Sequence, residues 1–496
     1  MKKLKLFCIL LSAVLLPCAC AAPKDKPVAG SAVSDKTPDM LTVCILNGEQ
    51  MHPILSKSAN NAQILTLCYD SLCKTAPSYE TQNILASEVV QNGRNFTITI
   101  RENARFWDGS KVTAADIEYS YNLARGSGQY GYVFNCISYF SAQGEKFIIT
   151  TYNSLNTNPN MFIVPIIKKN SDSGSKTPVG SGRYKLVNKN GLYEMQKNKD
   201  WIFPQNSAAE TIGLTVVDKV SEFAQAFNSG SVRAIYNDMI NDKRPLLGDC
   251  YMLPVSTTVL CFAGLNHDRP ALQSAKVRQA ISMAINRQSI VSDALISNAQ
   301  AVWLPVNPAW SAFSKTSIKR DIYSLSAAYA LLQDNLAIGS DGYFCIGGAK
   351  ITLNIIVSTK SEFIAAAAEA ICSDLKKAGL NATVHSYSPE NYTAQLSAGG
   401  YDIFISQVKL PQNMDLSFFS GPSCMGNWDF SNDLSIYNGY FSSSKSLEDF
   451  AAAFEGSTPF IPLFYEKHAL AIYKNVVNDF TPTQFDLFYG IENANR

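Results

Sequence analysis

Four histidines are present, His52, His267, His385 and His468, and none is close to another in the chain, so no short motif gathers them into a metal cage. The spacings Gly-x-Ser-x-Gly, His-Glu-x-x-His and Cys-x-x-Cys do not occur, and neither does an EF-hand loop. No catalytic residue and no metal ligand is therefore assigned, and no cofactor is expected. The residue types that remain are suited to holding a solute. Gln407, Lys409 and Asp415 follow the run Tyr401-Asp402-Ile403-Phe404-Ile405-Ser406, which reads as a strand. In open α/β sheets, ligands sit beyond the carboxyl ends of strands. Lys409 can pair with a ligand carboxylate; for it and for Asp415, a solvated loop charge is the competing reading. Trp428, in Gly426-Asn427-Trp428-Asp429, either lines a cleft or packs within its own loop.

Composition narrows the partners. At 496 residues the chain exceeds one ordinary core, so two or three lobes are expected. The net charge of +1 and the lack of a basic run with interleaved aromatics exclude nucleic acid as an expected partner. Lys2, Lys3 and Lys5 precede the apolar run from Leu6 to Leu16. That run is about 11 residues, too short to span a bilayer and suited to a signal peptide. It leads into Pro17-Cys18-Ala19-Cys20-Ala21-Ala22, where a bacterial lipoprotein would be cleaved before a cysteine that receives lipid. Cys20 is the preferred lipidation site, because Cys18 follows a proline; ordinary secretory cleavage after Ala22 is the alternative. Pro23 to Asp39 is small, polar and Pro-containing, a flexible tether. Of 12 cysteines, nine lie beyond Cys20, an odd number that cannot pair completely within one chain. Most sit in apolar runs and read as buried small hydrophobes.

The elements that would position these residues can be read in order. Leu41 to Leu46 is a first strand, and Ala62 to Cys73 a helix. Leu85 to Val90 and Phe96 to Ile100 flank Asn92-Gly93 as a hairpin. Thr113 and Asp116 form a capping box that opens a helix over Ile117, Tyr121 and Ala124, with Gly126 as its stop. Gly126-Ser127-Gly128-Gln129-Tyr130-Gly131 has the letters of a nucleotide loop, but it follows a helix and reads as an ordinary loop. Val277, Ala280, Ile281, Ala284 and Ile285 give the spacing of an amphipathic helix. Ile351 to Val357, a helix from Ser361 to Ala378, then strands at Ala382–Val384 and Tyr401–Ser406 imply parallel neighbours with a crossover.

Several of these stretches together resemble a known family. They are Leu85-Ala86, Asn92-Gly93, Ile100-Arg101, Phe106-Trp107-Asp108-Gly109 and Thr113-Ala114-Ala115-Asp116-Ile117. Later come Pro178-Val179-Gly180-Ser181-Gly182-Arg183-Tyr184-Lys185-Leu186, Val277-Arg278-Gln279-Ala280-Ile281 and Pro459-Phe460-Ile461-Pro462-Leu463. Their order is similar to that of the family 5 extracellular solute-binding proteins of bacterial ABC importers, the oligopeptide-, dipeptide- and nickel-binding family. The resemblance implies an α/β, periplasmic-binding-protein-like type II (cluster C) fold: two hinge-linked lobes around a ligand cleft, with an additional middle domain. It divides the chain into a lipoprotein signal peptide at 1–20, a tether at 21–39, lobe-one segments at 40–60, 177–258 and 458–496, a middle domain at 61–176 and lobe two at 259–457.

The resemblance also implies capture of a short peptide and delivery to a permease and ATPase, by a lipoprotein anchored to the outer face of the cell membrane or periplasmic. Metal chelates, oligosaccharides or a peptide pheromone are the alternatives within the same mechanism, and a secreted hydrolase is the alternative outside it. Carried over from relatives, Glu49 and Tyr132 would approach the ligand and Tyr465 would stand near the hinge. The family's peptide binders place an Asp after the lobe-two strand to pair with the peptide amine, but that position here falls at Leu410-Pro411, beside Lys409. Mass spectrometry of the mature N-terminus from the native host should find it at Cys20 with lipid attached; an unmodified terminus at Ala21 or Pro23 would show the lipoprotein expectation wrong.

Overall fold

The computed structural model describes residues 40–152, 159–173, 177–190, 192–207, 209–241, 244–318, 321–421, 424 and 426–494. The signal peptide, the tether and Cys20 lie outside them. Leu41–Leu46 is the first strand, with Leu41, Val43 and Ile45 buried on one face. It lies parallel to Thr211–Val217 and to Ala234–Asn237. These strands belong to an eleven-stranded sheet that runs through both lobes. At the far side, Thr352–Ser358 is parallel to Asn381–Tyr387 and to Ile403–Lys409, the crossover arrangement that strand–helix–strand order requires. Between the two halves stand two long strands, Cys250–Leu265 and Phe460–Tyr473, antiparallel to each other.

Lobe two is covered on both sides. Helices Ala275–Ala284, Leu325–Asn335 and Glu362–Lys377 pack one face, through residues such as Ile281, Leu332 and Ile371. Ser431–Phe441 and Leu447–Ser457 pack the other, which is rich in aromatic rings. The middle domain is a separate sheet in the order Ala86–Asn92, Asn95–Ile100, Lys146–Thr151, Ile137–Gln143, backed by helix Ala114–Arg125. Thr113 N–H donates to Asp116 Oδ2 at 2.9 Å, as the capping box requires. In the hairpin the turn is Gly93-Arg94, one residue later than the Asn-Gly pair suggests, with Gly93 in the left-handed region at φ +59°.

Two boundaries differ from expectation, for physical reasons. The helix expected over Ala62–Cys73 is Ala59–Leu65. Beyond it the backbone of Leu67 and Cys68 accepts from Tyr184 N and Gly182 N, both at 2.9 Å, so those carbonyls serve the returning chain and not a helix. This close approach explains the Gly-x-Gly motif. A Cβ on Gly180 would lie 2.3 Å from Cys68 O, and one on Gly182 would lie 2.4 Å from Cys68 C. Ile64, Leu65, Leu67, Cys68 and Tyr69 share a core with the first strand, whereas Leu72 opens the middle-domain core. Similarly, Phe460, Ile461, Leu463 and Phe464 pack in lobe two, while Leu470 and Ile472 pack in lobe one. The late strand thus changes lobes midway, not at residue 458.

The C-terminal segment is pinned to lobe one by a buried charge. Arg183, fully enclosed, donates to Asp486 at 2.7 and 2.9 Å, to Glu492 at 2.9 Å and to Phe488 O at 3.0 Å. Burial by itself would raise the Asp486 pKa, but the charges of Arg183 and Lys74 outweigh it and hold the group below the usual carboxylate value. A depressed folded pKa stabilises the fold above the unfolded pKa, and that contribution is lost as pH falls through the folded value. Arg183→Ala should therefore cost about 3–5 kcal/mol near neutral pH by leaving buried acids unpaired. The melting-temperature gap to the wild type should narrow below about pH 4 as Asp486 protonates; circular dichroism melts across pH would check both.

Candidate functional site at the junction of the lobes

Between Phe464 in the lobe-two core and Leu470 in the lobe-one core, the same strand face carries Glu466 and His468. Both are buried. The partner strand bulges here, with its register shifting between Ser256 and Leu260. Ala234–Asn237 ends opposite Ala469, and Ile403–Lys409 ends opposite Val259. Strands of both lobes therefore end at this line, which the two long strands and the segment after Asn237 cross. Ile240 in that segment joins the lobe-two core, and its carbonyl accepts from Ser361 Oγ at 3.2 Å.

The junction is polar on this face. His468 Nε2 lies 3.1 Å from Glu466 Oε2 and 3.3 Å from Asp238 Oδ1. His468 Nδ1 is 2.6 Å from the Tyr236 hydroxyl. Burial, and then the charges of Asp238 and Glu466, hold the Tyr236 phenol above its usual pKa, so it stays protonated. Gln407 Nε2 donates to the other oxygen of Glu466. Two residues along the same face of that strand stands Lys409. It is solvent-accessible but recessed, and the surrounding walls displace enough water to lower its ammonium pKa. No acid is paired with it among the described residues.

The opposite face of the junction is filled. Tyr465 is buried and donates to Pro305 O at 3.0 Å; burial pushes its phenol well up. Asn307 Nδ2 donates to Thr257 O at 2.8 Å, and Thr258 N donates to Gln484 Oε1 at 2.6 Å. Tyr79, beside the middle domain, packs edge-on against Phe485 with centroids 5.9 Å apart. Ser311 of lobe two donates through N to Ser78 O at 3.0 Å and through Oγ to Glu80 at 2.7 Å. A cavity of about 320 Å³ in lobe two, lined by Trp303, Leu304, Val306 and Phe313, shares no lining residue with the polar face.

Of the residues singled out from the sequence, the structure brings Gln407 to Glu466 and sets Lys409 on the same strand face. Glu49 accepts from Lys57 N at 3.1 Å and closes the turn after the first strand. Tyr132 lies on the short 3-10 helix Gly131–Cys136 of the middle domain, 47% exposed. Asp415 caps its own loop, accepting from Ser417 N at 2.8 Å and Oγ at 2.9 Å. Trp428 is packed into the aromatic core: its Nε1 donates to Phe419 O at 3.1 Å and its ring stacks on Phe404. His52 accepts through Nδ1 from Ile54 N at 3.1 Å and Leu55 N at 3.2 Å, which makes it a turn residue. Asp238, Tyr236, Glu466 and His468 escaped the motif search. The signal for two of them was available: Glu466-Lys467-His468 is the only charged or imidazole-bearing stretch in Phe460–Tyr473.

Comparison with known proteins decides the family. Residues 80–428 match the bacterial extracellular solute-binding proteins, family 5, in their middle region. The chain belongs to this family. It is 20% identical over 461 residues to the oligopeptide-binding protein AppA of Bacillus subtilis, covering 84% of each chain. Its fold is that of the nickel ABC transporter protein from Bacillus halodurans (TM-score 0.74, 17% identity, 92% of this chain and all of that one). AppA of Bacillus subtilis in complex with a nonapeptide is also similar (TM-score 0.58, 17% identity, 92% of this chain and 99% of that one). The two-lobed fold of family 5 is thereby established, and the protein is a solute-binding protein of an ABC importer. No helix among the described residues is long and apolar enough to cross a membrane.

Tyr465 is wholly engaged within the fold. Tyr465→Phe should cost about 1 kcal/mol of stability by orphaning the Pro305 carbonyl, seen as a lower melting temperature. Ligand affinity, measured by calorimetry on the same preparation, should not change.

Proposed function

We propose that this protein is a lipoprotein, anchored through Cys20 at the outer face of the membrane, that captures short peptides between its lobes and hands them to a permease–ATPase pair. The observation that carries the peptide reading is Lys409: an accessible, recessed ammonium with no carboxylate partner among the described residues, at the carboxyl end of a strand that stops at the junction. A peptide's terminal carboxylate supplies the missing partner, and the recess strengthens that pair by excluding water. The other end is read differently from the family pattern. Asp415 is occupied by Ser417, and Leu410-Pro411 offers no acid, so the amino end is held without a dedicated carboxylate in that loop. Backbone hydrogen bonds supply the rest. Closure about the two long strands lets a ligand touch both lobes, and contacts made only in the closed state drive it.

The name of the AppA relative supports the peptide reading. A carboxylate-bearing metal chelate is the second reading, because it would satisfy Lys409 equally, and the similar Bacillus halodurans protein is described as a nickel transporter. A thermal-shift screen of di- to hexapeptides, nickel chelates and oligosaccharides separates these. A ligand at a hundred times its Kd should stabilise by about 2.7 kcal/mol. Lys409→Ala should weaken peptides with a free carboxyl end about 10- to 100-fold. Carboxy-amidated peptides should bind wild type and variant alike. Stabilisation by a chelate or sugar alone would show the peptide reading wrong.

A further inference from the structure

We propose that Asp238, Glu466 and His468 form a binding site for one divalent transition-metal ion, of the kind that zinc or manganese represents. The donor set is one imidazole nitrogen and two carboxylates, a set that such ions accept. One candidate ligand atom from each residue lies within 4.8 Å of the others. The separations from His468 Nε2, 3.1 Å to Glu466 and 3.3 Å to Asp238, match neighbouring ligands of one ion. Bonds of about 2.0–2.2 Å at angles between octahedral and tetrahedral place such ligands about 2.8–3.6 Å apart.

The surroundings orient these ligands as outer partners orient a metal site. The Tyr236 hydroxyl, 2.6 Å from His468 Nδ1, can accept a hydrogen bond from that nitrogen, the arrangement that leaves the Nε2 lone pair facing the carboxylates. Gln407 Nε2 donates to the Glu466 oxygen that faces away from the imidazole. Asp238 Oδ1 also accepts from Ile240 N at 3.1 Å and Asn241 N at 3.0 Å, which fixes its carboxylate at the start of the crossing segment. A second, independent observation is the charge itself. Glu466 is 1% exposed, and among the described residues neither it nor Asp238 has a lysine or arginine partner. Buried carboxylates are paired with a cation or bind a metal. Asp238, whose side chain is 33% exposed, leaves a way in for the ion. Three protein ligands leave coordination positions for water or for an atom of the solute.

The competing occupant is a proton, which would make His468 itself the counter-charge. The test uses the full-length protein, stripped with a chelator and titrated with Zn²⁺ and with Co²⁺. We expect one ion per chain by calorimetry and elemental analysis, a visible Co²⁺ band without sulfur-to-cobalt charge transfer, and a raised melting temperature. The absence of sulfur-to-cobalt charge transfer excludes the free cysteines as ligands. Asp238→Asn and His468→Gln should each weaken binding by at least about 10-fold. Should His468→Gln fail to fold, Asp238→Asn at the accessible edge decides alone. No saturable binding by about 1 mM, or variants that bind like the wild type, would overturn the site in favour of the proton. Peptide titrations on the chelator-stripped protein are a separate readout, so failure here and failure of the peptide reading are distinguishable.

Discussion

A strand that passes from one hydrophobic core to another must cross a place where neither core covers it, and this fold depends on how that crossing is made. Phe460–Tyr473 is buried almost throughout, yet between Phe464 and Leu470 its core-facing positions are Glu466 and His468. Apolar residues there would fuse the two cores into one and remove the cleft. Polar residues keep the lobes separate, but their burial obliges each to find a partner. Tyr236 and Asp238 supply those partners from one segment and Gln407 from another, so the crossing is also where the lobe-one and lobe-two strands of the shared sheet come together. The bulge in Cys250–Leu265 at the same level interrupts the ladder of the neighbouring strand that runs the full distance.

The two faces of this crossing are treated oppositely. On the Tyr465 side, rings and carbonyls fill the space: Tyr79, Asn307, Phe485 and Pro305 contact one another or the strands. The C-terminal segment that brings Gln484 and Phe485 there is itself held by Arg183, whose guanidinium reaches Asp486 and Glu492. Arg183 stands in the Gly-x-Gly-Arg return segment, which lies against Cys68 only because its glycines have no side chain. The close approach, the buried ion pair and the packed face of the junction are therefore one continuous arrangement.

Much of this was legible in the sequence. Periods of two and 3.6 located three lobe-two strands, Thr352–Ser358, Asn381–Tyr387 and Ile403–Lys409, and the helices Ala275–Ala284 and Glu362–Lys377. They did not locate Leu325–Asn335, Pro389–Ala398, Ser431–Phe441 or Leu447–Ser457. The Thr113–Asp116 box marked its helix to the residue. What was not legible was set by contacts far apart in the chain. Ala62–Cys73 has helical periodicity, but Gly182 and Tyr184 claim the carbonyls that its second half would need. Trp428 and Tyr465 have cleft-like chemistry, and only the packing of Phe404, Phe419 and Pro305 around them takes up their surfaces. Asp238 and His468 are 230 residues apart, a separation that hides any shared site from motif reading. The one local trace was a run of polar residues in an apolar strand.

On the proposed peptide reading, Lys409 is how such a junction would favour a bound solute. An ammonium in open water gains little from a carboxylate, because hydration competes on both sides. In the recess, part of that hydration is already lost, which is why its pKa is lowered before any ligand arrives. The free protein thus holds a charge in an unfavourable place, and a carboxylate that entered, as proposed, would restore what the walls removed. Closure of the lobes would shed the remaining water and strengthen the pair further, so the interaction is worth most in the closed state. A ligand with that property shifts the lobes toward closure, as an importer's binding subunit requires, without any residue having to move it.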